Sequence, residues 1–169
     1  MQNAIKRTPF DIRVAAKEAK AALKGLTGVF MHLMEEHGKV SALIKRIRST
    51  SEADDDARAE LYLALRSELL AHEKGEHRTV YPVLAQYSET ASIAAMHSID
   101  VGELEATIVE LDALSPASPD WTPTFARLAQ LVETHVDREE SDYFPKAQKA
   151  LGKERAEELL FALASTRRS

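Results

Sequence analysis

The segment HEKGEHRTVYP, residues 72–82, decides how this chain is read, because it returns as HVDREESDYFP at residues 135–145. Both copies run His, three residues, Glu, four residues, aromatic, Pro. Ahead of the first copy, Leu61, Leu65 and Leu69 form a stripe at helical spacing, and His72 and Glu76 take the next two places on it. Residues four apart on an α-helix lie about 40° apart around the axis and about 6 Å apart along it. His72 and Glu76 therefore share the face that the leucines mark as buried. His135 and Glu139 continue the stripe of Leu128 and Leu131 in the same way.

Each copy is preceded, at a similar interval, by a single histidine inside an apolar stripe. His37 sits among Phe30, Leu33, Val40 and Ile44, and His97 among Ile93, Val101, Leu104 and Ile108. Four helical segments thus each turn one imidazole inward, and two of them add a carboxylate. The chain reads as two related helix pairs.

The rest of the chain fits this reading. Glycine and proline number only six each and sit mostly at breaks, so the pattern is helical nearly throughout. Residues 1–10 read as an arm, with Asp11 as a cap for a short helix over 11–24. Gly25 and Gly28 interrupt it, and Thr27 is placed to cap a helix running to Arg48. A second long helix starts near STSEADDD, whose acids suit a helix N-terminus, and runs to about Tyr87. A third covers about Ser88 to Leu114, and after the loop SPASPD a fourth covers about Trp121 to Leu151. Gly152 separates a last short helix, 153–165. Pro82 and Pro145 are expected to kink or end the second and fourth helices. The expected fold is all-α, an antiparallel up-down four-helix bundle with short N- and C-terminal extra helices. The organisation is an arm and short helix over 1–26, the bundle over 27–151, and a short helix and tail over 152–169.

Composition narrows the function. A chain of 169 residues, 44% hydrophobic and 29% charged, suits one domain with a sizeable core. A net charge of −5 gives no basic footprint for nucleic acid and no polybasic membrane patch. The absence of cysteine excludes disulfides, thiolate metal sites and cysteine nucleophiles. The N-terminal residues carry charges throughout, and no apolar run is long enough to span a bilayer, which places the expected protein in the cytoplasm. A monomer and a homodimer are equally compatible with the sequence.

Burying two ionised carboxylates without partners costs several kcal/mol each, and no lysine or arginine shares these stripes. A bound cation resolves this, using the imidazole lone pairs as well. Nitrogen and oxygen donors without sulfur suit iron, manganese or zinc. Two carboxylates able to bridge, with four imidazoles, suit a pair of ions. The Glu-x-x-His motif of ferritin-like di-iron bundles is absent, because no glutamate stands three residues before any histidine.

The order H … HxxxE … H … HxxxE, with an aromatic-Pro pair after each HxxxE, resembles the hemerythrin-like, HHE cation-binding family over about residues 30–146. The resemblance is carried by EEHGKVSALI around His37, AHEKGEHRTVYP around His72, MHSIDVGEL around His97 and THVDREESDYFP around His135. It implies a four-helix bundle around two non-haem iron ions, oxo- or hydroxo-bridged, with O2 or hydrogen peroxide as the small-molecule ligand. By the same resemblance His37, His72, Glu76, His97, His135 and Glu139 are the metal ligands, with Glu76 and Glu139 bridging. Oxygen-carrying hemerythrins have five histidines and a final His-x4-Asp, whereas this chain offers four inward histidines and His-x3-Glu. An iron-sensing branch adds a glutamate directly after the second-helix histidine. Glu73 matches it and is a candidate seventh ligand, although it lies about 100° from His72 around the helix. His77 and Tyr143 are candidates to support the site from behind the ligands, and His32 is expected at the surface or in a helix contact. Gly38 and Gly75, each beside a candidate ligand, suit a close approach of helices. The implied activity is oxygen or redox binding or sensing. The alternatives are a catalase-like di-iron enzyme decomposing peroxide and an iron-sensing or storage bundle.

Overall fold

The computed structural model describes residues 8–51 and 54–166, with the backbone alone for Pro9 and Phe10. Most of the expected arm over 1–10, two residues of EADDD (52 and 53) and the last three residues of the tail lie outside the described residues. Among the described residues the fold is all-helical. In chain order the helices are α1 (Pro9–Leu23), α2 (Gly28–Arg48), α3 (Asp55–Thr79), the short α4 (Tyr81–Leu84), α5 (Ala91–Asp112), α6 (Trp121–Arg138) and α7 (Phe144–Thr166). A single π-helical turn, Glu139–Tyr143, joins α6 to α7. None of these helices is long and apolar enough to cross a membrane.

The core consists of two apolar clusters with a polar layer between them. One holds Phe30, Leu33, Met34, Val80, Leu84, Ile93 and Phe144, with Ala156, Leu159 and Leu163 from the end of the chain. The other holds Val40, Ile44, Leu65, Leu69, Leu104, Ile108, Trp121, Phe125, Leu128 and Val132. Helices α2 and α5 pass from the first cluster to the second, and α3 and α6 lead back towards the first, which the chain re-enters just beyond them at Val80 and at Tyr143. In each of the four, the histidine found in the sequence falls between the two apolar stretches. Burying each large apolar side chain contributes about 1.5–3 kcal/mol, and this holds the polar layer in place from both ends.

Several local features differ from expectation. Thr8, not Asp11, caps α1: its hydroxyl accepts the Asp11 N–H (3.2 Å), while the Asp11 carboxylate accepts the Thr8 N–H (2.7 Å). Thr27 occupies the N-cap of α2 but makes no side-chain cap; its N–H and hydroxyl both donate to Gln148 Oε1 (2.8 and 3.3 Å). The second long helix ends at Thr79 rather than Tyr87, because Pro82 has no N–H and its ring crowds the preceding turn. Pro145 ends nothing. The turn before it widens, with the Phe144 N–H bonded to the Glu139 carbonyl five residues back, and the chain stays helical through the proline. Gly152, at φ 75°, breaks α7 where a break was expected.

Glycine allows two close approaches. A Cβ on Gly38 would stand 2.9 Å from the Val14 Cα, so α1 packs directly on α2. Gly28 combines φ +55° with an Ala156 backbone that a Cβ would meet at 2.4 Å, while Gly25 has φ +68° and open space. Gly25→Ala is expected to cost roughly 1–2 kcal/mol, the backbone cost of the left-handed conformation. Gly28→Ala must also displace the 153–166 helix and is expected to cost more. Urea midpoints for the two variants check the order.

Candidate metal centre

The polar layer gathers seven buried side chains. From α2 comes His37, from α3 His72, Glu73 and Glu76, from α5 His97, and from α6 and the π turn His135 and Glu139. Their donor atoms fall into two groups, one of His37, His72 and Glu139 and the other of Glu73, Glu76, His97 and His135. In the first, His37 Nε2 stands 3.2 Å from both His72 Nε2 and Glu139 Oε2. In the second, His97 Nε2 is 3.1 Å from Glu76 Oε2 and 3.4 Å from Glu73 Oε2, and His135 Nε2 is 3.5 Å from Glu73 Oε1. Glu139, a member of the first group, also faces the second, its Oε1 lying 3.4 Å from His135 Nε2. Glu76 Oε2 also reaches towards the first group, 3.8 Å from His72 Nε2.

These residues fit a cation. Donors bound at about 2.1 Å to one ion stand about 3 Å apart when at right angles, close to the spacings found. Buried atoms of Glu73, Glu76, Glu139 and His135 have no hydrogen-bond partner, and leaving such atoms unsatisfied is costly. Among the described residues no lysine or arginine reaches any of the seven. Protons are the remaining counter-charge. Burial by itself lowers the His72 pKa, but the carboxylates of Glu76, Glu36 and Glu73 outweigh it and push the ring up to about 10. His97 is pushed to about 10 against the same desolvation, by Glu73, Glu76 and Glu139. Burial would raise Glu139, yet His135, His37 and His72 hold it well below the usual carboxylate range.

Behind these seven stand groups that the sequence did not single out. His37 Nδ1 pairs with Glu140 (3.0 Å) and His72 Nδ1 with Glu36 (2.9 Å), each carboxylate fully buried. When Nδ1–H donates to a carboxylate, Nε2 keeps its lone pair and points into the site, the arrangement that orients metal-binding histidines. Glu140 is charged because Lys17 and Lys20 of α1 bind it, Lys20 at 2.7 Å. Glu36 also meets the half-buried His32 at 3.2 Å, which gives His32 a helix-surface role close to the expected one. His135 Nδ1 faces Asp100 at 3.7 Å. The only hint of Glu36 and Glu140 was the doubled glutamates in EEH and REES.

Two expected supports are replaced. His77 is exposed, one turn beyond Glu73 on the outside of α3. Tyr143 is buried in the first apolar cluster. Tyr81, the aromatic of the Tyr-Pro pair that ends the first copy, takes the role instead. Its hydroxyl donates to Glu139 Oε1 (2.5 Å), and its ring stacks on His97 with centroids 3.5 Å apart. Burial and the Glu139 charge raise its pKa well above the ordinary value, so it keeps its proton.

No solved structure matches the chain. A curated protein of Nostoc sp. named DNA nickase is similar to it, 24% identical over 123 residues that make up 73% of this chain and 34% of that protein. The chain therefore spans about a third of that relative's length. The family model for the hemerythrin HHE cation binding domain matches residues 30–147, a span that contains all seven side chains of the polar layer together with Glu36, Tyr81 and Glu140. By that match the chain belongs to the hemerythrin HHE cation-binding family.

Proposed function

We propose that this protein is a hemerythrin-like, non-haem di-iron protein that binds O2 or peroxide. In this reading residues 27–151 form the metal-holding unit. The alternating passage of α2, α3, α5 and α6 between the two apolar clusters supports an antiparallel four-helix bundle, with α1 and residues 153–166 as additional helices. His37, His72 and Glu139 would hold one ion, and Glu73, Glu76, His97 and His135 the other. The observation that carries the reading is Glu139, whose two oxygens face different groups, as a bridge between two ions requires. The iron pair, when bound, supplies a redox-active centre for O2 or peroxide. The chain's own residues do the rest: Glu36 and Glu140 fix the rings of His72 and His37, the apolar clusters exclude water at both ends, and Tyr81 keeps its proton and donates it in a hydrogen bond to the Glu139 carboxylate. Metal analysis of the purified protein, with an absorption spectrum before and after peroxide, tests this. A pair of irons with a charge-transfer band is expected. A single metal, or zinc with no band, would sink the di-iron reading.

Tyr81 also favours a second reading, a catalase-like enzyme, since it places a protonated hydroxyl beside the centre. O2 evolution from peroxide, counted per bound iron with iron in excess and lost in Tyr81→Phe on that basis, is the outcome that supports it. Likeness to a protein named a DNA nickase raises DNA as a substrate. A net charge of −5 opposes that, because affinity for the phosphate backbone comes chiefly from lysine and arginine. Supercoiled plasmid is expected to survive incubation with the metal-loaded protein.

A further inference from the structure

Helices α3 and α5 meet in the polar layer through His97, 3.1 Å from Glu76 and 3.4 Å from Glu73, and part on its solvent side. A groove of about 690 Å³ separates them. Its α3 wall carries Glu73, Lys74, His77 and Arg78, and its α5 wall Ser98, Gly102 and Glu105. Glu73 is the one residue common to this groove and the two donor groups. Its Oε2 is buried without a hydrogen-bond partner, at 3.4 Å from His97 Nε2. Lys74 and Arg78, four residues apart on one helix face, are exposed and form no ion pair with any described residue. A second cavity, between α5 and α6, touches His135 but measures only about 80 Å³, and the Arg138–Asp100 pair (2.7 Å) lies in its wall.

We propose that the α3–α5 groove is the route by which a small monoanion reaches the metal centre, gathered by Lys74 and Arg78 and admitted past Glu73. This rests on the metal reading above. Unpaired positive charge on a groove wall concentrates anions and raises their association rate. Glu73 is the least enclosed carboxylate of the seven, with its side chain 7% exposed against 0% for Glu76 and Glu139. One carboxylate yielding to one incoming monoanion leaves the charge facing the centre unchanged, so the exchange carries no electrostatic penalty of its own.

Gly102 provides the test. A Cβ there meets nothing within 4 Å, and both phenylalanine and alanine are better helix formers than glycine inside α5. Gly102→Phe therefore puts a ring at the groove wall with room for its Cβ, and Gly102→Ala leaves the groove open. Azide is the probe, mixed with iron-loaded protein and followed by its absorption band. Gly102→Phe is expected to slow azide association by about tenfold or more, as gated access does, with metal content unchanged and Gly102→Ala close to wild type. Lys74→Glu with Arg78→Glu, at exposed positions, is expected to slow it about tenfold at low ionic strength and hardly at all at high. Wild-type rates in both the phenylalanine and the charge-reversed variants, with full metal content, overturn the groove and leave the metal centre standing. Should Gly102→Phe fail to fold, the charge-reversed variant alone decides. A wild-type protein that takes up no metal overturns both readings.

Discussion

Glu139→Ala is expected to abolish metal retention at both positions, whereas His37→Ala and His135→Ala each weaken one. The reason is the sharing of a single carboxylate. Glu139 Oε2 faces His37 and its Oε1 faces His135 and the Tyr81 hydroxyl. Removing it takes a donor from both groups at once and leaves Tyr81 without its acceptor. The metal-free protein is affected as well. The imidazoles of His135, His37 and His72 are what hold the Glu139 pKa down. Breaking a buried pair from one side costs about 3–5 kcal/mol, so a large fall in melting temperature accompanies the loss of metal. Glu133 is the comparison. Its pair with Arg48 is about half exposed, at 45% and 46%, and Glu133→Ala is expected to cost about 1 kcal/mol or less. Tyr81→Phe removes one supporting hydrogen bond and is expected to weaken metal affinity about 10–100-fold. Metal content after dialysis, measured beside thermal melts, separates the three. Equal metal retention in Glu139→Ala and wild type would remove the bridging role.

How much of this was readable in the sequence follows from what helical periodicity can and cannot specify. A spacing of four residues on an apolar stripe places His72 with Glu76 and His135 with Glu139 whatever the loops do, and those four, with His37 and His97, lie in the polar layer. Periodicity points Glu73 about 100° away from His72. Its burial depends on how far α3 stands from α5, which no single-helix pattern records, so it came to notice only through the family resemblance. Glu36 and Glu140 are each one residue from a candidate ligand, and the same rotation should turn them outwards. Glu140 is turned in because the π turn widens the helix there and α1 brings Lys17 and Lys20 across it. Lys17 and Lys20 themselves lie more than a hundred residues from Glu140 in sequence. The twin motifs misled in one respect. They are spelled alike up to the aromatic-Pro pair, yet the first copy breaks its helix at Thr79 and the second widens at Glu139. The aromatic of each pair still stacks on a candidate ligand, Tyr81 on His97 with centroids 3.5 Å apart and Phe144 on His37 at 5.6 Å, but only Tyr81 carries a hydroxyl to donate to Glu139.

Raising the pH should weaken the metal-free protein and tighten its hold on metal, so the gap between their melting temperatures is expected to widen from pH 6 to pH 9. The sign follows from His72 and His97. Both stand near 10 in the fold against 6.5 for a free imidazole. A group whose pKa is raised by folding contributes stability that is fully present below the unfolded value and lost as pH rises through the folded one. Between about 6.5 and 10 the metal-free fold therefore gives up the stabilisation of two buried imidazolium–carboxylate clusters, roughly several kcal/mol in all. Metal binding runs the other way. An imidazole must be neutral to bind an ion, so each ion competes with the protons that His72 and His97 carry, and its affinity rises as those protons become easier to lose. At neutral pH, uptake should release protons from both rings, readable by calorimetry in buffers of different ionisation heat. The acid limb has another origin: His37, Lys17 and Lys20 outweigh burial and hold Glu140 near 2, so its contribution disappears only as pH falls from the ordinary carboxylate range towards 2. A gap that stays constant or narrows between pH 6 and pH 9, or uptake without proton release, would mean that the imidazoles are neutral before metal arrives and that the carboxylates of this layer are balanced in some other way.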